Sequence, residues 1–370
     1  MSITLITTII PTYRRSNYLK RAIESVLAQS FNNFQIYVYD NASGDETESV
    51  VADYIRQDDR VFYVKNNQNI GGLNNMIKGV NAVSTPFYSL LNDDDFLLPD
   101  FYEKAIIEFE RCPRAGFVCA KTITVDVEAK KMQFRNRDWL PGIYEATSHS
   151  AIKMHASHFT STGVLFRENM RQLIGAFECS GNDVMYLTMA AAASPFVVLD
   201  IYGAVYTVHL KSYSAMSGIT GRDVPFLHNS LLSGVDNIMN INLPSESKVY
   251  LLALLTNEHF GALEYKQLQR LKINNYANNS TTDMVLPSRI TYIGATIKLF
   301  YILPRVLYKL ITNILSLIRG FRNIINSRYL VNDWINLSED ANCCFVKLDS
   351  DISSFLSCVR AVKDGLNNPS

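Results

Sequence analysis

The sequence predicts an α/β fold with a Rossmann-like, mostly parallel central sheet flanked by helices, followed by an α-helical C-terminal region. Three observations predict it. Short β-branched runs alternate strictly with helical patterns from residue 3 to about 125, which is the pattern of a parallel, doubly wound sheet. A chain of 370 residues that is 48% hydrophobic and 19% charged can bury a sizeable core and is not disordered. The polar stretches PTYRR, DNASGD and NDDD each follow a strand, and sheets of this kind bind ligands outside the carboxyl ends of their strands.

The first strand is ITLITTII. It lacks the early basic region of a signal peptide and gives way to a loop at Pro11. A helix follows from near Ser16. The second strand, FQIYVYD, runs into DNASGDE, where Ser43 and Glu46 have capping-box spacing and predict a helix starting near Ser43. After the third strand, RVFYVK, the glycines of NQNIGGLNN precede a helix from about Gly72 and allow backbone to approach a ligand. They do not form GxGxxG, and the first strand-to-helix turn reads PTYRR, which disfavours a nicotinamide-dinucleotide enzyme.

The fourth strand, PFYSLL, leads into LLNDDDFLLPD. From about 126 to 225 the pattern loosens into a hairpin region, the stretch TSTGVLFRENM, a helix from about Asp183 to Ala193 and the strand FVVLDIY. His155 and His158 fall where strand or loop is expected and receive no role. Residues 226 to 284 read as further helices. The expected division is an α/β domain over 1–225 and a helical region over 226–370.

Thirty-five basic and thirty-five acidic residues cancel, so net charge gives no sign of nucleic-acid binding. Six cysteines without a CxxC pair favour reduced thiols in a cytoplasm. No uncharged apolar stretch reaches the roughly 18 to 20 residues of a spanning helix. From Met284 to Asn332 there are seven Arg or Lys and no acid. A helix from Pro304 places Arg305, Lys309, Thr312, Ser316 and Arg319 on one stripe among apolar residues, which suits either the surface of an anionic membrane or a water-facing helix of a C-terminal bundle. The expectation is peripheral contact through 287–330 on the cytoplasmic face.

Asp93, Asp94 and Asp95 repel one another, so an ordinary fold gains little from them. They are either an exposed acidic turn or a site for a hard cation such as Mn²⁺ or Mg²⁺, which is commonly held by one or two carboxylates together with substrate phosphates. Asp40, at the end of the second strand, either builds a helix-entry turn or accepts hydrogen bonds from a base or ribose.

In order and spacing, IIPTYRRSNYLKRAIESVLAQSF, VYDNASGDET, NIGGLNN and LLNDDDFLLPD resemble the family 2 glycosyltransferases of the GT-A fold. The resemblance implies that Asp40 meets the base of a nucleotide-sugar and that Pro11, Thr12 and Tyr13 line the nucleotide pocket. It also implies that Asp93 serves the ribose, that Asp94 lies near ribose or sugar, and that Asp95 holds the metal. FRENMRQLIGAFECSGNDVMYL looks like the family's acceptor-side stretch, with Asp183 as general base or, alternatively, as a helix N-cap. His209 is similar to a histidine that completes the metal shell; a structural histidine is the alternative. Lys211 either meets the diphosphate or is a solvated surface lysine. Three departures stand out: Arg14 occupies a position that is commonly asparagine, Asn182 replaces a glutamate, and an arginine after Asp183 is missing. The expected function is a metal-dependent inverting transferase using a nucleotide-sugar, with UDP as the expected carrier, and a saccharide or lipid-linked acceptor. A non-catalytic nucleotide-sugar-binding scaffold is the alternative.

Overall fold

The computed structural model describes residues 4–175, 183–209, 234–245, 247–252, 254–255 and the backbone of 335–336. Its N-terminal half is the expected parallel sheet. Strands β1 (Ile6–Thr12), β2 (Phe34–Asp40), β3 (Val61–Lys65) and β4 (Phe87–Leu90) lie in the order β3-β2-β1-β4, all parallel. They are joined by α1 (Ser16–Leu27), α2 (Thr47–Gln57) and α3 (Gly72–Asn81).

The sheet is covered on both faces, so β1 is apolar almost throughout rather than alternating. Its Ile6 and Ile10 pack with Leu19 of α1 and with Phe101 and Tyr102 of α4 (Phe101–Arg111), while Ile9 faces Ile77 and Val80 of α3 on the other side.

Beyond β4 the sheet becomes mixed. The two-residue strand β5 (Phe96–Leu97) follows the acidic turn, and β6 (Phe117–Asp126) forms the expected hairpin with β7 (Lys131–Phe134). The further elements are β8 (Gly142–Tyr144), α5 (Ser148–Ala156), β9 (Val164–Arg167), α6 (Met170–Ile174) and α7 (Asp183–Ala193). The thirteen-residue β10 (Phe196–Val208) follows, and the pair Ile335–Asn336 (β11) adds antiparallel to β7.

β9 is antiparallel to both β4 and β6. β10 runs parallel to β6, with register shifts between Val198 and Tyr202 and again between Tyr202 and Ala204, and pairs antiparallel with β5 and β8. Through β5 it reaches the end of the acidic turn. α7 is buried on nearly all sides because MYLTMAAAA offers only apolar or small side chains, and it enters the same core as Val235, Ile238, Leu251 and Leu255.

Two local expectations are corrected. Ser43 does not cap a helix: α2 begins at Thr47, and the Ser43 side chain bonds Asp40 instead. The segment around His155 is a helix, α5, whose N-terminus is capped by Thr147 accepting from the Ser150 amide, so a side-chain cap outweighed the local apolar alternation. Among the described residues no helix is long and apolar enough to cross a membrane. The segment 287–330 lies outside the described residues.

Candidate nucleotide-sugar and cation site

The acidic triplet lies beyond the C-terminal end of β4, where the Leu91 amide still bonds the Ile9 carbonyl and holds the turn against β1. Asp93 Oδ2 accepts from Thr12 Oγ1 at 2.8 Å, and Asp93 Oδ1 accepts from Arg15 Nη1 at 2.8 Å. The same Arg15 Nη1 donates to Asp94 Oδ2 at 2.7 Å, and His209 Nε2 lies 3.1 Å from that oxygen. Asp94 Oδ1 accepts no hydrogen bond from a described residue. The His209 ring stacks on Tyr18, with centroids 4.7 Å apart.

Asp95 turns inward. Its Oδ1 accepts from the Thr207 amide at 2.8 Å; its Oδ2 accepts from Thr162 Oγ1 at 2.7 Å and Asn92 Nδ2 at 3.1 Å. Thr162 lies in a short 3-10 turn, Ser161–Gly163, ahead of β9, so Asp95 fastens β10 and this turn to the end of β4.

All three carboxylates are buried. Burial raises the Asp93 carboxyl above the usual range; Arg15 opposes that shift and the Asp94 charge adds to it. Burial and then the Asp94 charge raise Asp95. Burial alone would lower the Arg15 guanidinium, but the charges of Asp93 and Asp94 outweigh it and hold it raised.

Asp40 anchors a second polar cluster at the end of β2. Its Oδ1 accepts from the Ser43 amide at 2.9 Å and Ser43 Oγ at 2.5 Å, and its Oδ2 from the Tyr63 hydroxyl at 2.6 Å. The Arg14 amide donates to Ser43 Oγ and its Nε to the Ser43 carbonyl, so the loops after β1 and β2 are tied together. Arg14 adopts a left-handed backbone conformation with φ of 55°. The helix α3 is positioned by carboxamides: Asn41 joins Asn69 and the Ile70 amide, and Asn75 joins Asn66 and the Tyr39 carbonyl.

The structure thus gathers Thr12, Asp93, Asp94, Asp95 and His209. Tyr13 follows Thr12 and is exposed, while Pro11 sits in β1 opposite Tyr39. Asp183 is the half-buried first residue of α7, and its electrostatic neighbour among the described residues is Arg135. Lys211 lies outside the described residues. The residues that sequence reasoning missed are Arg15, Tyr18, Tyr63, Thr162 and Thr207.

The donor set suits a hard divalent cation at Asp94, whose Oδ1 accepts from no described residue and whose Oδ2 faces both His209 and Arg15. Asp95 fits that role less well, because its two oxygens already take three donors. Among the described residues no group of three or more His, Cys, Asp or Glu is arranged around a metal position.

Residues 7–173 match Glycosyl transferase family 2. The GalNAc(5)-diNAcBac-PP-undecaprenol beta-1,3-glucosyltransferase of Campylobacter jejuni is 40% identical over 91 residues, 24% of this chain and 29% of the relative. Glycosyltransferase GlyA of Streptococcus pneumoniae is 28% identical over 108 residues, 28% of this chain and 15% of the relative. The matches therefore span about a third or less of these curated relatives. S. aureus TarS 1-349 in complex with UDP-GlcNAc has a TM-score of 0.53 at 18% identity, covering 70% of this chain and 73% of that one, which shows the fold. The acids after β4, the Asp40 cluster after β2 and the parallel sheet carrying both therefore belong to a GT-A fold, and residues 7–173 of the chain match glycosyl transferase family 2.

Proposed function

We propose that the chain is an inverting, divalent-cation-dependent glycosyltransferase that moves a sugar from a nucleotide-sugar to an acceptor hydroxyl. The observation that carries this proposal is the placement of Asp93 and Asp94, with His209, at the carboxyl end of the parallel strands, next to a loop that is tied through Arg14 to the Ser43 loop beside Asp40. A UDP-linked donor is supported by the TarS complex with UDP-GlcNAc, and a lipid-linked acceptor by the name of the Campylobacter relative. Assembly of a surface glycan on a cytoplasmic membrane face, reached through 287–330, accords with such an acceptor.

Asp40, with Ser43 and Tyr63, would receive the base, and Thr12, Tyr13 and Asp93 the ribose. Asp94 and His209 would hold Mn²⁺ or Mg²⁺, and a bound cation neutralises charge on the leaving diphosphate. Asp95 keeps β10, and with it His209, in place. Lys211 is assigned to the diphosphate. Asp183 accepts the proton of the acceptor hydroxyl as its oxygen attacks the anomeric carbon, a role worth about 10²- to 10⁴-fold in rate.

Calorimetric titration of UDP with Mn²⁺ and with EDTA tests the site. Metal-dependent binding is expected for the wild type and is lost in Asp94→Asn. Equal binding with EDTA and with Mn²⁺ would remove the cation from the proposal. In Asp183→Asn, turnover should fall about 10²-fold or more with UDP affinity unchanged; full turnover would exclude Asp183 as the base.

A further inference from the structure

We propose that Arg15 is a built-in counter-cation that occupies the acid pair when no donor is bound, competes with the divalent cation for it, and thereby couples cation binding to nucleotide binding. The inference rests on the nucleotide-sugar site proposed above.

A single nitrogen, Arg15 Nη1, bridges Asp93 Oδ1 at 2.8 Å and Asp94 Oδ2 at 2.7 Å. Two adjacent buried carboxylates left without a positive partner would be strongly unfavourable, and the chain supplies that partner itself. The other groups facing the pair do less. Thr12 is neutral, Arg21 Nη2 donates to the Asp94 main-chain carbonyl, and His209 touches the same Asp94 oxygen as Arg15 from a longer distance.

A Mn²⁺ or Mg²⁺ ion bonds carboxylate oxygen at about 2.0 to 2.2 Å. An ion held jointly by Asp94 Oδ2 and His209 would sit against the guanidinium that already holds that oxygen, and like charges at such a separation repel strongly. The ion therefore enters as Arg15 leaves. The side chain has a route to solvent: it is 19% exposed, and at the N-cap position of α1 it makes no capping bond, so only its two ion pairs must be exchanged. A displaced guanidinium beside the bound cation is a forked donor suited to diphosphate oxygens. Cation and nucleotide diphosphate each remove a barrier to the other, so they bind cooperatively, and by linkage the coupling is the same in both directions.

Mn²⁺ titration of the full chain, followed by the loss of the free-ion electron paramagnetic resonance signal, tests this with and without UDP. Arg15→Gln should bind Mn²⁺ alone about tenfold more tightly than the wild type. UDP should strengthen Mn²⁺ binding about tenfold or more in the wild type and only weakly in the variant, within the usual range of coupling. Arg14→Gln removes the same charge one residue away, from a side chain bonded to Ser43; it should leave Mn²⁺ affinity within about twofold of the wild type.

Equal gains from both glutamine variants would reduce the effect to net charge and overturn the proposal. So would unchanged or weaker Mn²⁺ binding in Arg15→Gln. Should Arg15→Gln fail to fold, Arg15→Met serves: it keeps an unbranched stem and loses the bridging charge, so Mn²⁺ should again bind more tightly, and wild-type affinity would count against the inference. Equal Mn²⁺ affinities with UDP still bound overturn this inference alone. Absence of UDP binding overturns the proposed donor site as well.

Discussion

At the scale of single residues, neighbouring acids divide their work by the direction they face. Asp95 is a carboxylate used as a joint: its three donors come from β10, from the turn before β9 and from its own loop. Asp95→Ala should therefore lower unfolding free energy by about 2 kcal/mol or more in urea titration, because the Thr207 amide and Thr162 hydroxyl lose their acceptor while buried. A loss below about 0.5 kcal/mol would show that water replaces the carboxylate. The acids were legible in the sequence because three adjacent carboxylates at a strand end have no role in a core. Which one faces a cation was not, since alternation along a strand does not extend into the turn after it. Nor does PTYRR reveal which arginine turns inward. The left-handed φ of Arg14 decides that by sending Arg14 toward Ser43 and Arg15 toward the triplet.

At the scale of elements, the sequence located strands and helices well where apolar periodicity was strong and less well where hydrogen-bonding side chains chose the ends. The start of α2 moved to Thr47 because Asp40, a tertiary partner, captured the serine expected to cap it. α3 offers a sharper test. A Cβ added at Gly79 would collide with the Ile9 side chain and lie 3.0 Å from Tyr39 Cδ2, because the helix rests directly on β1 and β2. Gly79→Ala should thus destabilise by about 1 to 3 kcal/mol, although alanine is the better helix former. Thermal unfolding checks this, and a raised melting temperature would mean that the helix can shift outward.

At the scale of the whole molecule, the strict alternation up to about residue 125 identified the parallel half, but not the mixed half. Antiparallel β9, inserted between β4 and β6, comes from a stretch far along the chain, and short segments carry no mark of the strand they will join. The buried acids also give the molecule a pH signature. Asp93 and Asp95 titrate higher in the fold than in an unfolded chain. Their contribution to stability is therefore fully present below the unfolded carboxylate value of about 4 and is lost as pH rises through the raised folded values. With EDTA present, this local contribution should make the melting temperature decline as pH rises from 5 to 8, and Mn²⁺ should raise it more at pH 8 than at pH 5. A Mn²⁺ effect independent of pH would separate cation binding from these carboxylates.

The shifts of register in β10 carry a consequence for insertions and deletions. Side chains of a strand alternate between faces, so dropping one codon between Val198 and Ala204 would either re-pair everything downstream by one position or redraw the bulge. In the first case Thr207 would present its amide away from Asp95, and His209 would arrive on the wrong side of the sheet. A change of length that a surface loop would absorb would here unhook the acid triplet, and single-codon insertions or deletions should be tolerated in the turn between β6 and β7 long before they are tolerated inside this strand.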